Sequence, residues 1–348
     1  MKKFFSFLMV AVLLCGAVQA KTWRINNDPE AKADFLSIDE AMESLEVYAG
    51  DVLYLDPGCR LPSQTVSKGV TVIGTGYNLA EAEEAMVAGI TVSAENTKLT
   101  GINVTGQIKL SSNYVTIERC KATSIWLSSG GKNIEITGCY VLGGVSGFNT
   151  SSLLRFSTLR NSIILGKVNL IENSTISNNI IIYDSGTKTG SNDYDYLLYN
   201  IYTSTITNNI IINTTTHTTQ ADNVVTNWSH MTIHNTTVSD GNTITNNVLS
   251  TDAAHAWADF PNNKFIGAKV EDIFVNEGNQ EEKYKLKEGS AALGYGINGV
   301  DCGAFDGQYP YVLSGRPRFV PYIYDAQIPN TPTDGKLNIT LKIKSQNE

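Results

Sequence analysis

The sequence predicts an all-β fold, a single-stranded right-handed parallel β-helix with an N-terminal capping helix and a C-terminal tail strand. Three observations predict it. The first is a near-verbatim repeat: STISNNIII at 174–182 returns as STITNNIII at 204–212 and as NTITNNVL at 242–249. Each copy reads apolar, two variable residues, Asn, one variable residue, apolar. The second is that this template also fits Ile117…Cys120…Ala122, Ile136…Cys139…Val141 and Leu159…Ser162…Ile164, and more loosely Leu99…Ile102…Val104. The third is the spacing. First apolar positions at 99, 117, 136, 159, 176, 206 and 244 are separated by 18, 19, 23, 17, 30 and 38 residues. A period near 20 carried by short β-branched runs is the pattern of a β-solenoid.

Each coil of such a solenoid adds one strand to each of several parallel sheets, so equivalent side chains stack at roughly 4.8 Å. About eight coils then span roughly 35–40 Å. The template places Ile176, Ile206 and Ile244 in one buried stack and Asn179, Asn209 and Asn247 in another. Stacked amides can bond to one another and to the turn backbone, and Asn tolerates the left-handed conformation a tight turn needs. Cys120 and Cys139 fall in the same column, as stacked free thiols or as a ladder disulfide; metal binding is the least expected, because no His joins them.

A second strand precedes the template in each coil: Gly89–Val92, Gln107–Leu110, Ser124–Leu127, Leu153–Phe156 and Lys167–Leu170. Period-two alternation points Ile108/Leu110, Ile125/Leu127, Leu154/Phe156 and Val168/Leu170 inward. Lys109, Trp126, Arg155 and Asn169 then form an outward row, extended by Tyr199 and His234.

The ends of the chain read differently. Lys2 and Lys3, the apolar run from Phe4 to Leu14 and Val18-Gln19-Ala20 make residues 1–20 a signal peptide cleaved after Ala20. A lipoprotein signal using Cys15 is the rival, with Leu14 bulkier than that processing usually accepts. Export places the protein in the periplasm, at the cell surface or in the medium. No later run is long enough for a transmembrane segment. Removing the leader leaves 24 cations against 34 acids, a net charge of −10, which disfavours nucleic acid and anionic membranes as partners. Residues 35–48 predict an amphipathic helix with a Ser37/Glu40 capping box and Ile38, Ala41, Met42 and Leu45 on one face. Asp51 to Gly58 predicts a strand ending in a turn. The β-helix runs over 21–306. A Pro-rich tail, 307–348, follows and packs on or is appended to it; there Leu337, Ile339, Leu341 and Ile343 alternate with polar residues.

Two stretches break the period. Asp184 to Tyr196 is a polar loop. Residues 214–230 are either a second loop or a degraded coil around Val224…Asn227. Insertions on solenoids usually gather on the binding face.

The stretch FLSIDEAMESLEVYAGDVLYLDPG (35–58) resembles the N-terminal cap and first strand of secreted right-handed β-helix proteins of the pectate-lyase-like superfamily. KYKLKEGSAALGYGINGVDCGAFDG (283–307) is similar to the closing coil of many bacterial members, with Ala291 where proline is usual. The resemblance covers roughly residues 22 to 325 and implies polysaccharide in a groove along the outward sheet. That fold hosts lyases, hydrolases, isomerases and non-catalytic adhesins alike.

Trp126, Arg155, Lys109, Asn169, Tyr199 and His234, with Tyr194 and Tyr196 from the polar loop, are the candidate substrate-binding residues. Aromatic faces stack on sugars and cations hold carboxylates, so the expected partner is a polysaccharide, possibly acidic, bound by a monomer. A mixed solvent-facing sheet also carries Lys, Arg and Asn; the exposed indole is the feature it does not explain. For lyase chemistry, Arg155 or Lys109 is the candidate catalytic group, since a base must take the proton alpha to a carboxylate and a cation must stabilise the product charge. Asp184, Asp193 and Asp195 are candidates for binding Ca2+, although a solvated acidic loop explains them as well. Hydrolase chemistry needs paired carboxylates, and the polygalacturonase-type signatures Asn-Thr-Asp, Asp-Asp, Gly-His-Gly and Arg-Ile-Lys are absent. NWSHMTIHNTT (227–237) lacks the aspartate of the pectate-lyase Trp-x-x-His phrase. His217, His230, His234 and His255 fit surface or hydrogen-bonded roles. A carbohydrate-binding module, a polysaccharide lyase and a structural or adhesive protein are the readings in that order.

Overall fold

The computed structural model describes residues 20–129, 131–184, 187–189, 197–214, 216–218, 225–227, 233–234, 240–250, 262–266, 270–317, 321–329, 331–332 and 335–344. Three long sheets, each of ten strands, run the length of a parallel β-helix. In the first sheet, from Thr22–Ile25 to Thr243–Thr245, one register column holds Leu53, Val72, Leu99, Ile117, Ile136, Leu159, Ile176, Ile206 and Ile244. All nine are buried. The repeat spacing thus maps onto one stack, which extends two coils earlier than the template. Ten strands correspond to about 43 Å. In the second sheet, from Arg60–Leu61 to Lys264–Phe265, the inward column runs through Val104, Ala122, Val141, Ile164, Ile181, Ile211 and Leu249.

The doubled asparagine divides two tasks that one residue cannot perform. Asn178, Asn208 and Asn246 take the left-handed turn, with φ of 54°, 59° and 56°. Asn179, Asn209 and Asn247 point inward and are fully buried. The Asn209 amide nitrogen donates to the Ile176 and Thr207 carbonyls (2.8 and 2.9 Å), and its Oδ1 accepts from the Asn179 backbone and side chain (2.8 and 3.0 Å). The chain of bonds runs unbroken from Cys139 through Ser162, Asn179, Asn209 and Asn247 to Asn263. A second ladder joins Ile134, Ser157, Ser174, Ser204 and Asn242 at the preceding corner. Cys120 and Cys139 are free and buried; burial pushes the Cys139 thiol up to about 12.

Helix α1 spans Ile38–Glu43, shorter than its pattern. Ser37 Oγ accepts from the Glu40 amide and the Glu40 carboxylate accepts from the Leu36 amide (3.0 and 2.6 Å). Ser44 turns extended, and Lys68 Nζ donates to the Ser44 and Val47 carbonyls, closing the C-terminus. Ile38, Ala41 and Met42 are buried as expected, but Leu45 lies beyond the helix and is 88% exposed; Val47 fills the core in its place.

The third sheet departs from the sequence alignment. Ile108, Leu110, Ile125, Leu127, Leu154 and Val168 do point inward. Phe156 is 55% exposed, and Leu170 is displaced from the core by Ile171. Both residues adopt left-handed φ, 51° and 58°, which resets the alternation. A strand absent from the sequence reading, Val145–Ser146, supplies the coil between Trp126 and Asn169. Leu154–Arg155 instead pairs with Ile171–Glu172.

Both period-breaking stretches are insertions. Thr187–Thr189 pairs in parallel with Thr216–Thr218, which pairs antiparallel with Val225–Asn227. The last of these is therefore no degraded coil, and Ile206 is followed directly by Ile244 in the stack.

The C-terminal region begins earlier and does more than a tail. Strands of the second sheet carry continuous apolar runs because both faces are covered. Tyr140, Ile163, Ile180, Ile210 and Val248 form its outward column and pack beneath Phe274, Ala292, Cys302, Ala304 and Tyr311. The segment similar to a closing coil thus lies along the side of the helix. The left-handed corner receives it: Asn161 Nδ2 donates to the Ala304 and Asp306 carbonyls, and Asn208 Oδ1 accepts from the Ile297 amide. A buried polar cluster fastens the other end. Glu281 accepts from the Asn78 side chain and from the Ser314 amide, Tyr77 and Tyr311 hydroxyls meet at 2.7 Å, and Lys121 Nζ donates to Asn78 Oδ1. Beyond it, Thr340–Lys344 pairs antiparallel with Tyr322–Gln327, and Leu337, Ile339, Leu341 and Ile343 are exposed rather than packed on the helix.

Two outcomes follow from the ladder and the cluster. Asn209→Ala leaves buried carbonyl and amide groups without partners and should cost about 3–5 kcal/mol in urea unfolding, whereas Asn96→Gly, at an exposed left-handed position, should stay within about 1 kcal/mol of wild type. Burial raises the Glu281 carboxyl above its ordinary range, against the opposing bonds from Ser314, Asn78 and Tyr311. Its contribution is then fullest below about pH 4.3, the unfolded value, and is lost as pH rises through the folded one. Thermal melts at pH 4.5 and 7 should show wild type gaining on Glu281→Gln as the pH falls; a pH-independent gap would contradict this assignment.

Candidate functional site

The outward column of the third sheet begins at Thr65 and Thr91 and continues through Lys109, Trp126, Ser146, Asn169 and Tyr199, with His234 next in strand register. The predicted row exists except for Arg155. That residue stands in a neighbouring column, beside Lys132 and Glu172, and its guanidinium is ion-paired with Glu172. The additional strand Val145–Ser146 takes the place beside Asn169, so Arg155 pairs with Glu172, three residues further along than the repeat spacing predicts. Asn169 faces outward but is nearly covered, and Ser146 Oγ donates to its Oδ1.

A groove of about 610 Å³ opens around this column. Trp126, Phe148, Leu142, Leu165 and Tyr183 give it apolar and aromatic walls, with Gln107, Ser124, Ser146, Asn169 and Lys167 as polar lining. Among the described residues that line it there is no carboxylate. Its floor is Gly143, Gly144, Gly147 and Gly166. A Cβ on Gly166 would collide with the Gly143 backbone, and one on Gly143 would lie 2.6 Å from the Thr123 carbonyl. Successive coils approach too closely there for any side chain, so the floor is smooth backbone.

Trp126 is held in place. Its ring stacks on Phe148 with centroids 6.2 Å apart and planes at 20°. Its Nε1 donates to Gln107 Oε1 at 3.1 Å, and Lys109 Nζ lies 5.6 Å from the ring centroid. Phe148 rides on a short turn in which Ser152 bonds back to Asn149 and Phe148 donates to the Ser152 carbonyl. Half-exposed, it is the more accessible ring. The sequence reading missed it because it sits in the irregular GFNTSS stretch between two strands, where no periodicity marks a direction. Tyr183 closes the list, with Lys167 Nζ 5.0 Å from its ring centroid.

The polar loop leaves the coil directly after Tyr183, so its base borders the groove. Asp184 is exposed. Tyr194, Tyr196, Asp193 and Asp195 lie outside the described residues, as do His230 and His255. His217 and His234 are placed on strands. Among the described residues no group of three or more His, Cys, Asp or Glu converges, and no helix is long and apolar enough to cross a membrane. No family model, curated protein or solved structure matches the chain.

The floor makes a direct prediction. Gly166→Ala should destabilise the protein by about 2 kcal/mol or more, because the collision is with backbone that cannot swing aside. Chemical denaturation measures it, and an unchanged midpoint would mean the coils are further apart than described.

Proposed function

We propose that this chain is an exported, non-catalytic polysaccharide-binding β-helix, with the polymer lying in the Trp126–Phe148 groove. The observation that carries the reading is the stacked aromatic pair beside a smooth, carboxylate-free floor. Sugar rings present flat C–H faces to aromatic rings and hydroxyls to polar side chains. The resemblance of residues 35–58 and 283–307 to the pectate-lyase-like superfamily favours the same ligand class, and the basic and apolar leader favours export. Lys167 in the lining, with Lys109 beside the Trp126 ring, gives the groove a cationic bias that suits an acidic glycan.

Lyase chemistry has less support. It needs a positioned base and a charge-stabilising cation at one reacting centre. Arg155 is engaged by Glu172 away from the groove column, and Lys109 leans on the indole.

Isothermal titration of the mature protein against polygalacturonate, alginate and neutral polymers, with ultraviolet detection of unsaturated products, tests the proposal. Binding without turnover is the expected result. Trp126→Ala and Phe148→Ala should each weaken it by about 1–3 kcal/mol while shifting stability by no more than about 1 kcal/mol. Unsaturated product would make the protein a lyase; no binding to any polymer would leave an adhesive or structural role.

A further inference from the structure

A different edge of the helix carries two aromatic residues that the fold does not explain. Two positions ahead of each of the last seven strands of the first sheet, the chain turns through a left-handed residue. Successive coils place Asn96, Tyr114, Asn133, Phe156, Asn173, Thr203 and Gly241 there, all at positive φ between 46° and 79° and all exposed. They form one line: Tyr114 N donates to the Lys132 carbonyl, Asn133 N to Arg155, Phe156 N to Glu172 and Asn173 N to Tyr202. Asparagine and glycine are the residues that accept this conformation at little cost. A bulky side chain there is strained and marks a position held for some other reason.

Tyr114, Phe156 and the β-branched Thr203 are the exceptions, and the first two are the aromatic ones. They are 54% and 55% exposed, so burial does not offset the strain. Neither ring stacks on another among the described residues, and neither lines the groove. They stand two coils apart, about 9.6 Å by strand spacing. The coils between and beside them carry exposed amides, so the corner alternates Asn96, Tyr114, Asn133, Phe156, Asn173. The adjacent column contributes Glu95, Lys132, Arg155 and Glu172, two acids and two cations, with Arg155 paired to Glu172. The edge has no net charge to attract or repel an ionic ligand.

We propose that this corner is a second carbohydrate site, taking an extended, uncharged, β-1,4-linked glycan of the two-fold ribbon type. In such a ribbon each ring is turned over relative to the next, so alternate rings show the same face at the interval of one disaccharide. Two strand spacings match that interval. Tyr114 and Phe156 stack on alternate rings, and Asn133, with an amide donor and a carbonyl acceptor, bonds the hydroxyls of the ring between. Flanking Asn96 and Asn173 extend the same contacts. This site stands independently of the groove.

Titration calorimetry of the mature protein with cellohexaose, mannohexaose and α-linked maltohexaose tests it. At least one β-1,4 hexasaccharide should bind and maltohexaose should not. Tyr114→Asn and Phe156→Asn should each weaken binding about tenfold, the double variant should show none, and Trp126→Ala should bind as wild type. Both Asn variants should melt at or above the wild-type temperature, because Asn relieves the left-handed strain; loss of binding is then not loss of fold. The proposal is overturned if neither β-linked probe binds, if maltohexaose binds as well, if the Asn variants retain full affinity, or if only Trp126→Ala abolishes binding.

Discussion

Every coil of this protein must turn three corners without leaving its inner backbone amides and carbonyls unpaired, and the rest of the structure depends on how that is done. Strand pairing satisfies the backbone along the sheets but not at the bends. At the two corners flanking the first sheet, from Ile134 and Cys139 onward, inward side chains from neighbouring coils do it instead. Because equivalent positions repeat at the strand spacing, an Asn in one coil meets both the Asn above and the bend of the coil below. The bonds are buried in a low dielectric, where a missing member costs more than a formed one returns. The ladder therefore tolerates Cys, Ser or Asn as alternatives along its length, and no large apolar residue occurs in it from Cys139 to Asn263.

The same corner joins the helix to its C-terminal region. From Asn161 onward the left-handed residue beside each ladder residue is an asparagine, and Asn161, Asn208 and Asn246 use their side-chain amides to hold the 295–306 backbone. That attachment is needed because Ile163, Ile180, Ile210 and Val248 would otherwise present an apolar face to water. Each buried aliphatic of this kind is worth about 1.5–3 kcal/mol, so the cover and the helix stabilise one another. At the far end, Glu281 and the two tyrosines fix the position of the cover through directional bonds rather than through apolar area.

Both proposed sites lie where the repeat is imperfect. A regular coil exposes Thr, Lys and Asn and offers no concavity. The groove arises where glycines let two coils approach, where a short turn lifts Phe148 over Trp126, and where an insertion departs after Tyr183. The outer corner acquires its two aromatic rings where Asn would be sterically preferred. In both places the local sequence departs from what folding alone asks for.

The sequence by itself determined the solenoid, its period, the inward aliphatic stack, the Asn ladder and the capping box, because each depends on the spacing of residue types along the chain and that spacing is preserved in the linear sequence. It also identified Lys109, Trp126, Asn169, Tyr199 and His234 as one column, since regular strands transmit register faithfully. Only the tertiary structure decided three matters. Arg155 left the column because a left-handed residue and an extra strand reset an alternation that the sequence cannot count through. Phe148 joined the groove because a turn without periodicity chose its direction. The Ile-Ile-Ile runs acquired their second buried face because residues about a hundred positions later fold back over them, and a continuous apolar run does not say which distant segment will cover it.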